Sequence, residues 1–109
     1  MTDSAARRIA EAFAGGTNAR AGYAVTNGIE VWYRGNCIAR RTPAGVEVSL
    51  LGWDTVTTRR YLNAVCKAAG ACNAQHTGCV WRERGQTWIR HLDGSEEPMA
   101  SHGWYLVRA

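Results

Sequence analysis

Residues 29–50 hold three short runs of strand-forming side chains cut apart by two tight turns, a pattern that drives the chain into an antiparallel meander. Ile29–Tyr33 is β-branched and aromatic, Arg34-Gly35-Asn36 supplies a turn, and Cys37–Arg41 returns as a second strand. Thr42–Gly45 carries Pro43 and Gly45 and turns again. Val46, Val48 and Leu50 then alternate with Glu47 and Ser49, the period of two that buries one face of a strand and wets the other. Such a sheet needs a cover, and the next segment offers one. Gly52-Trp53-Asp54 breaks the strand pattern, Asp54, Thr55 or Thr57 can cap a helix, and residues 57–69 run on to a stop at Gly70. Tyr61, Leu62, Val65, Cys66 and Ala69 form one apolar stripe, and Arg59, Arg60, Asn63 and Lys67 fall largely on the other side. The stripe is expected to lie on the sheet, with the basic face in solvent.

The flanking segments complete an α+β pattern. Residues 2–14 read as an N-terminal helix, with Ala6, Ile9, Ala10 and Phe13 at helical spacing and Gly15-Gly16 as its end. Residues 15–22 are small and read as a flexible connector. Ala71–Gly78 is a polar connector, Cys79–Arg84 and Gln86–Leu92 form a hairpin about Gly85, Asp93–His102 is an acidic loop, and Trp104–Val107 closes as a strand. The expectation is one α+β domain over 1–109, with residues 1–16 as a short helix and 23–109 as sheet plus the central helix 57–69. The sheet should be antiparallel, of about five to six strands, with that helix on one face. A chain of 109 residues suits one modest core. Its apolar runs are too short for a membrane span and it shows no leader pattern, so a cytoplasmic setting is expected.

Charge and side-chain chemistry favour contact over catalysis. The net charge is +4, and Lys67 is the only lysine among thirteen basic residues, so the basic character is carried by arginine forks suited to phosphates and carboxylates. His76, His91 and His102 lie in unrelated segments without a nucleophile elbow, a zinc-protease pattern or a phosphate-cradling glycine loop. No enzyme activity and no cofactor are expected. Cys37 and Cys66 read as small core residues. Cys72 and Cys79 bracket His76; they allow a disulfide or, with Cys66, a set of zinc ligands, but they lack the paired knuckles of a structural zinc site, and no metal is expected.

Binding residues come from two places. On the helix, Arg59, Arg60 and Lys67 could follow a phosphate backbone, with Asn63 reaching a base edge. In the meander, Arg40 and Arg41 extend the patch. Trp32 shares a pleat with Glu30 and Arg34, opposite Ile29, Val31 and Tyr33, so one of the two faces is expected to be partly open or covered by the N-terminal helix; an open Trp32 or Tyr33 would serve as a stacking platform or an interface anchor. Trp53, Trp81, Trp88 and Trp104 are expected to fill the core beneath the helix.

The strings YRGNCIARR (33–41), VEVSL (46–50) and GWDTVTTRRYLN (52–63), followed by QTWIRHLDGSEEPM and HGWYLV, resemble a recurrent type of small phage and prophage protein over residues 29–107. The resemblance implies a phage-encoded origin and an intracellular setting, and some phage proteins of this size inhibit host defence, anti-CRISPR proteins among them. Three readings follow. The first is a non-enzymatic phage accessory protein that inhibits a host defence nucleoprotein complex by binding it; the second is a small basic domain that binds DNA or RNA directly; the third is a metal-stabilised structural module. The chain is expected to be a monomer or a dimer, since an open edge strand could pair two copies.

Overall fold

The computed structural model describes residues 2–70, 79–91 and 93–107. Helix α1 (Thr2–Gly15) leads into two three-residue strands, β1 (Ala19–Ala21) and β2 (Ala24–Thr26), and then into the meander, β3 (Glu30–Tyr33), β4 (Asn36–Thr42) and β5 (Gly45–Val48). Helix α2 (Val56–Ala68) follows, then β6 (Val80–Glu83), β7 (Gln86–Arg90), β8 (Glu96–Pro98) and β9 (Tyr105–Val107). The strands pair antiparallel throughout, as a six-stranded sheet ordered β1-β2-β3-β4-β5-β9 and a three-stranded sheet β6-β7-β8. The α+β class, the antiparallel meander and the two helices are as the sequence implies. The hairpin after α2 does not join the meander: residues 96–98 of the acidic segment add a strand to it and make a separate sheet. The small-residue segment 15–22 is not merely a connector, because it holds β1, which pairs with β2 to extend the large sheet.

Both helices pack on the same face of the six-stranded sheet. Ala6, Ile9, Ala10 and Phe13 of α1 are buried, as are Tyr61, Leu62, Val65 and Cys66 of α2, and they share one core with Val31, Ile38, Ala39, Val46 and Val48. α2 begins at Thr55, whose side chain accepts the Thr58 N–H at 3.1 Å, satisfying a donor of the first turn. Across the layers the Tyr61 and Tyr33 rings meet with centroids 5.3 Å apart. Arg41 lies on this helix-bearing side, donating through Nη2 to the Phe13 carbonyl at 2.7 Å with its guanidinium 4.9 Å from the Phe13 ring, so it closes the end of α1. The β3–β4 register shifts between Val31 and Trp32: Val31 faces Ala39 while Trp32 faces Cys37. The extra residue is Ile38, and this bulge turns Ile38 and Ala39 inward together.

Two turns share one design. Arg34-Gly35 joins β3 to β4 and Arg84-Gly85 joins β6 to β7, with both residues of each pair at positive φ, the mirror-image turn whose twist matches antiparallel strands. Gly28 is needed for a different reason, since a Cβ there would stand 2.4 Å from the Gly16 carbonyl carbon, where the end of α1 meets the β2–β3 turn.

Two polar ties join the small sheet to α2. Asp54 accepts from Arg59 on α2, from Arg82 of β6 and from Thr87 Oγ1 of β7 at 2.5 Å. Asn63 reaches the edge of β6, its Nδ2 donating to the Val80 carbonyl at 2.8 Å and its Oδ1 accepting the Val80 N–H at 2.6 Å. The amide of Asn63 thus completes the hydrogen bonding of a strand edge as a neighbouring peptide would.

The tryptophans differ from expectation. Trp53 is exposed, and Trp81, Trp88 and Trp104 are half-buried on outward faces. The core is instead filled by aliphatic side chains, Phe13 and the two stacked tyrosines, because the pairing register puts Trp81 opposite Trp88 on the pleat facing away from buried Val80 and Ile89. Cys66 is fully buried and burial pushes its thiol up to about 12. Cys37 is half-buried on the sheet face away from the helices, not in the core. Cys79 is buried and disulfide-bonded, while Cys37 and Cys66 carry free thiols. Cys72 and His76, named for the disulfide and zinc alternatives, lie outside the described residues.

Candidate binding face

With both helices on one side, the opposite side of the six-stranded sheet is open to contact. Strand register sets two cross-strand rows on it. Arg20, Val25, Trp32 and Cys37 line up across β1–β4, and Glu30, Arg40, Glu47 and Leu106 line up across β3, β4, β5 and β9. Apart from exposed Arg20, all are half-buried, which is the accessibility of side chains packed against one another on a wet face. Arg40 is the centre of the second row. Its Nε donates to Glu47 Oε1 at 2.8 Å, and its guanidinium lies 3.9 Å from the centre of the Trp104 ring. Stacking and a carboxylate on the same fork hold the guanidinium in one plane, contributing about 0.5–1 kcal/mol for the cation–π contact alone. The Cys37 Sγ lies 3.8 Å from Glu30 Oε2. Burial first, and then the Glu30 charge, raise its thiol above the ordinary value, which disfavours the nucleophilic thiolate.

The structure separates the eight residues singled out for binding. Trp32 and Arg40 come together on the open face. Arg41 is exposed but lies on the other face of the same strand, where it donates to the Phe13 carbonyl, and Tyr33 is buried against Tyr61, so neither joins the open face. The physical reason is strand alternation: Trp32 and Tyr33, like Arg40 and Arg41, point to opposite sides. On α2, Arg60 and Lys67 are exposed, whereas Arg59 is ion-paired with Asp54 and Asn63 is committed to Val80. An Asn63 held at both ends of its amide is not available to read a base edge.

Sequence reasoning missed Trp104, Glu47, Glu30, Val25 and Leu106. The alternation Val46-Glu47-Val48 already places Glu47 on the far pleat from the core, and the same argument applies to Glu30 through its neighbour Val31. Trp104 and Leu106 needed the knowledge that the last strand sits beside β5. Among the described residues, no group of three or more His, Cys, Asp or Glu side chains is placed to hold a metal ion, and no helix is long and apolar enough to cross a membrane.

The fold and this face define a small two-sheet α+β protein with helices on one side of its main sheet and a polar–aromatic surface on the other. It is a phage protein. The family described as Kyanoviridae Gp96 protein matches residues 5–105, from α1 into β9, and the chain belongs to that family. The match includes α1, which the phage-type strings of residues 29–107 did not reach. Comparison with curated proteins and with solved structures gave no match.

Proposed function

We propose that this phage accessory protein acts by binding and not by catalysis, in the cytoplasm of the bacterial host, and that its partner is a host protein of a nucleic-acid-handling defence complex, which it inhibits. The observation that carries the reading is the open sheet face, where Trp32 and the Arg40–Trp104 stack present the two residue types that dominate binding hot spots. Arg40 is already fixed by Glu47 and Trp104, so little side-chain freedom remains to be lost on association. Membership of a phage family fits a phage accessory role. The test is affinity capture by the full chain from nuclease-treated host lysate, followed by the same capture with Trp32→Ala combined with Arg40→Glu. The reading expects a discrete protein partner, retained after nuclease and lost with the double variant while circular dichroism is unchanged. Capture equal to wild type by the variant would reject the face.

Direct binding to DNA or RNA is the second reading, favoured by exposed Arg60 and Lys67 on α2 and exposed Arg7 and Arg8 on the adjacent α1. Commitment of Arg59 and Asn63 to internal contacts weakens it. Affinity for plain duplex or single strands that falls steeply with salt would favour it over the first.

A further inference from the structure

Among the described residues four strands form the edges of the two sheets, and three of them are protected. β1 carries exposed Arg20 and has α1 packed along it. The β6 edge has its Val80 N–H and C=O taken up by Asn63. β8 reads Glu-Glu-Pro, two carboxylates and a proline, the residues that discourage strand addition. β9 differs. It reads Tyr-Leu-Val, with no charge, proline or glycine, and among the described residues β5 is its neighbour on one side only. A regular, uncharged strand edge is a template for another strand.

We propose that β9 pairs antiparallel with β9 of a second copy of this chain, joining two six-stranded sheets across a two-fold axis. The strand is complementary to itself. In the register that pairs all three residues, Leu106 lies opposite its own copy and Tyr105 lies opposite the copy's Val107 at both ends, so no like charges meet. Faces agree as well: Tyr105 and Val107 share the core side with Val48 and Val46, and Leu106 shares the open side with Glu47. A slip by one residue would set core-side against open-side positions, so this register is specified. The strand is also held in place beforehand, because the Tyr105 hydroxyl accepts the Ala100 N–H at 2.6 Å. Closed two-fold pairing is the commonest way for a self-complementary surface to assemble without growing into a fibre. The two open faces become one continuous surface with the paired Leu106 side chains at its seam. This inference does not rest on the identity of any host partner.

The experiment is sedimentation equilibrium of the full chain in the absence of lysate, over a wide range of micromolar concentrations. The expected result is a mass rising towards twice the 11.9 kDa protomer, and a fall to protomer mass for Leu106→Lys with its far-ultraviolet circular dichroism unchanged. Should Leu106→Lys fail to fold, Leu106→Cys gives an independent reading. In the proposed register the two introduced thiols face each other at about 4.5–5.5 Å between Cα atoms and form a reducible covalent dimer under mild oxidation. Arg20→Cys, on the opposite edge of the same sheet, is the control. Wild-type protein at protomer mass at every concentration would overturn the proposal, as would Leu106→Cys cross-linking no faster than Arg20→Cys. Pairing of β9 with an extended segment of a host protein, and not with its own copy, would overturn it too.

Discussion

Replacing Asp54 by Asn should destabilise the protein more than any other exchange of one carboxylate for its amide. Asp54 sits between the last turn of the meander and α2, and its two oxygens receive Arg59, Arg82 and Thr87. A hydrogen bond to a charged group contributes about 1.5–3 kcal/mol when sheltered, and an exposed ion pair at most about 1. The Arg59 side chain is 15% exposed and that of Arg82 43%, so the Arg59 contact belongs near the first range and the Arg82 contact near the second. The amide keeps one acceptor for Thr87 and loses the charge. The net expectation is a loss of about 2 kcal/mol, or a fall in melting temperature of about 8 °C for a domain of this size. The pH dependence gives a sharper check. Burial raises the Asp54 carboxyl, but the hydrogen bonds from Thr87 and Arg59 and the charges of Arg59 and Arg82 outweigh it and leave the carboxyl below its ordinary value. A depressed folded-state value means that the stabilisation is fully present above the unfolded carboxylate range. It is lost as pH falls through the folded-state value. Urea unfolding of wild type and Asp54→Asn should therefore differ by a constant amount near neutrality and converge in acid, with equal slopes throughout. Equal midpoints at neutral pH, or a gap that persists unchanged in strong acid, would refute the reasoning.

Three further outcomes test the remaining ties. Asn63→Ala strips the Val80 N–H and C=O of their partners and should cost about 1–3 kcal/mol in thermal or urea unfolding, with hydrogen exchange at the Val80 amide accelerating. Gly28→Ala forces a left-handed backbone on alanine and drives its Cβ into Gly16, so a loss of at least about 2 kcal/mol is expected by the same unfolding assay. Arg41→Ala removes the cap on the Phe13 carbonyl and the contact with its ring; about 1 kcal/mol should be lost, with exchange protection falling first at the C-terminal turn of α1.

What could be seen in the sequence was what side-chain period and turn chemistry encode locally. Val46-Glu47-Val48 shows its two faces by alternation alone, and Tyr61, Leu62, Val65 and Cys66 mark the buried side of α2 by spacing alone. Arg34-Gly35 and Gly85 announce their turns. β1 and β2 were hidden because Ala19, Ala21 and Ala24 are poor strand formers that are held in the sheet by pairing and by α1 packed along them. The bulge at Ile38 was hidden because two adjacent inward residues break the period that would reveal them. Asn63 looked like part of a solvated basic face, since nothing local tells an amide at helical spacing that a strand edge will arrive seventeen residues later. The site was half legible for the same reason. Trp32 and Arg40 belong to the strands of the meander, whereas Trp104 and Leu106 join them only because the chain returns to pair with β5.

We propose that the molecule works by contact through the sheet face carrying Trp32, Arg40 and Trp104. The most direct measurement is quantitative capture of host protein by wild type and by Trp104→Ala, which removes the aromatic support beneath Arg40 without touching the helices or the core. Wild type should bind the same nuclease-resistant partner, and the variant should lose at least about tenfold in affinity for it, the scale of a hot-spot residue. An unchanged affinity for that partner would contradict it.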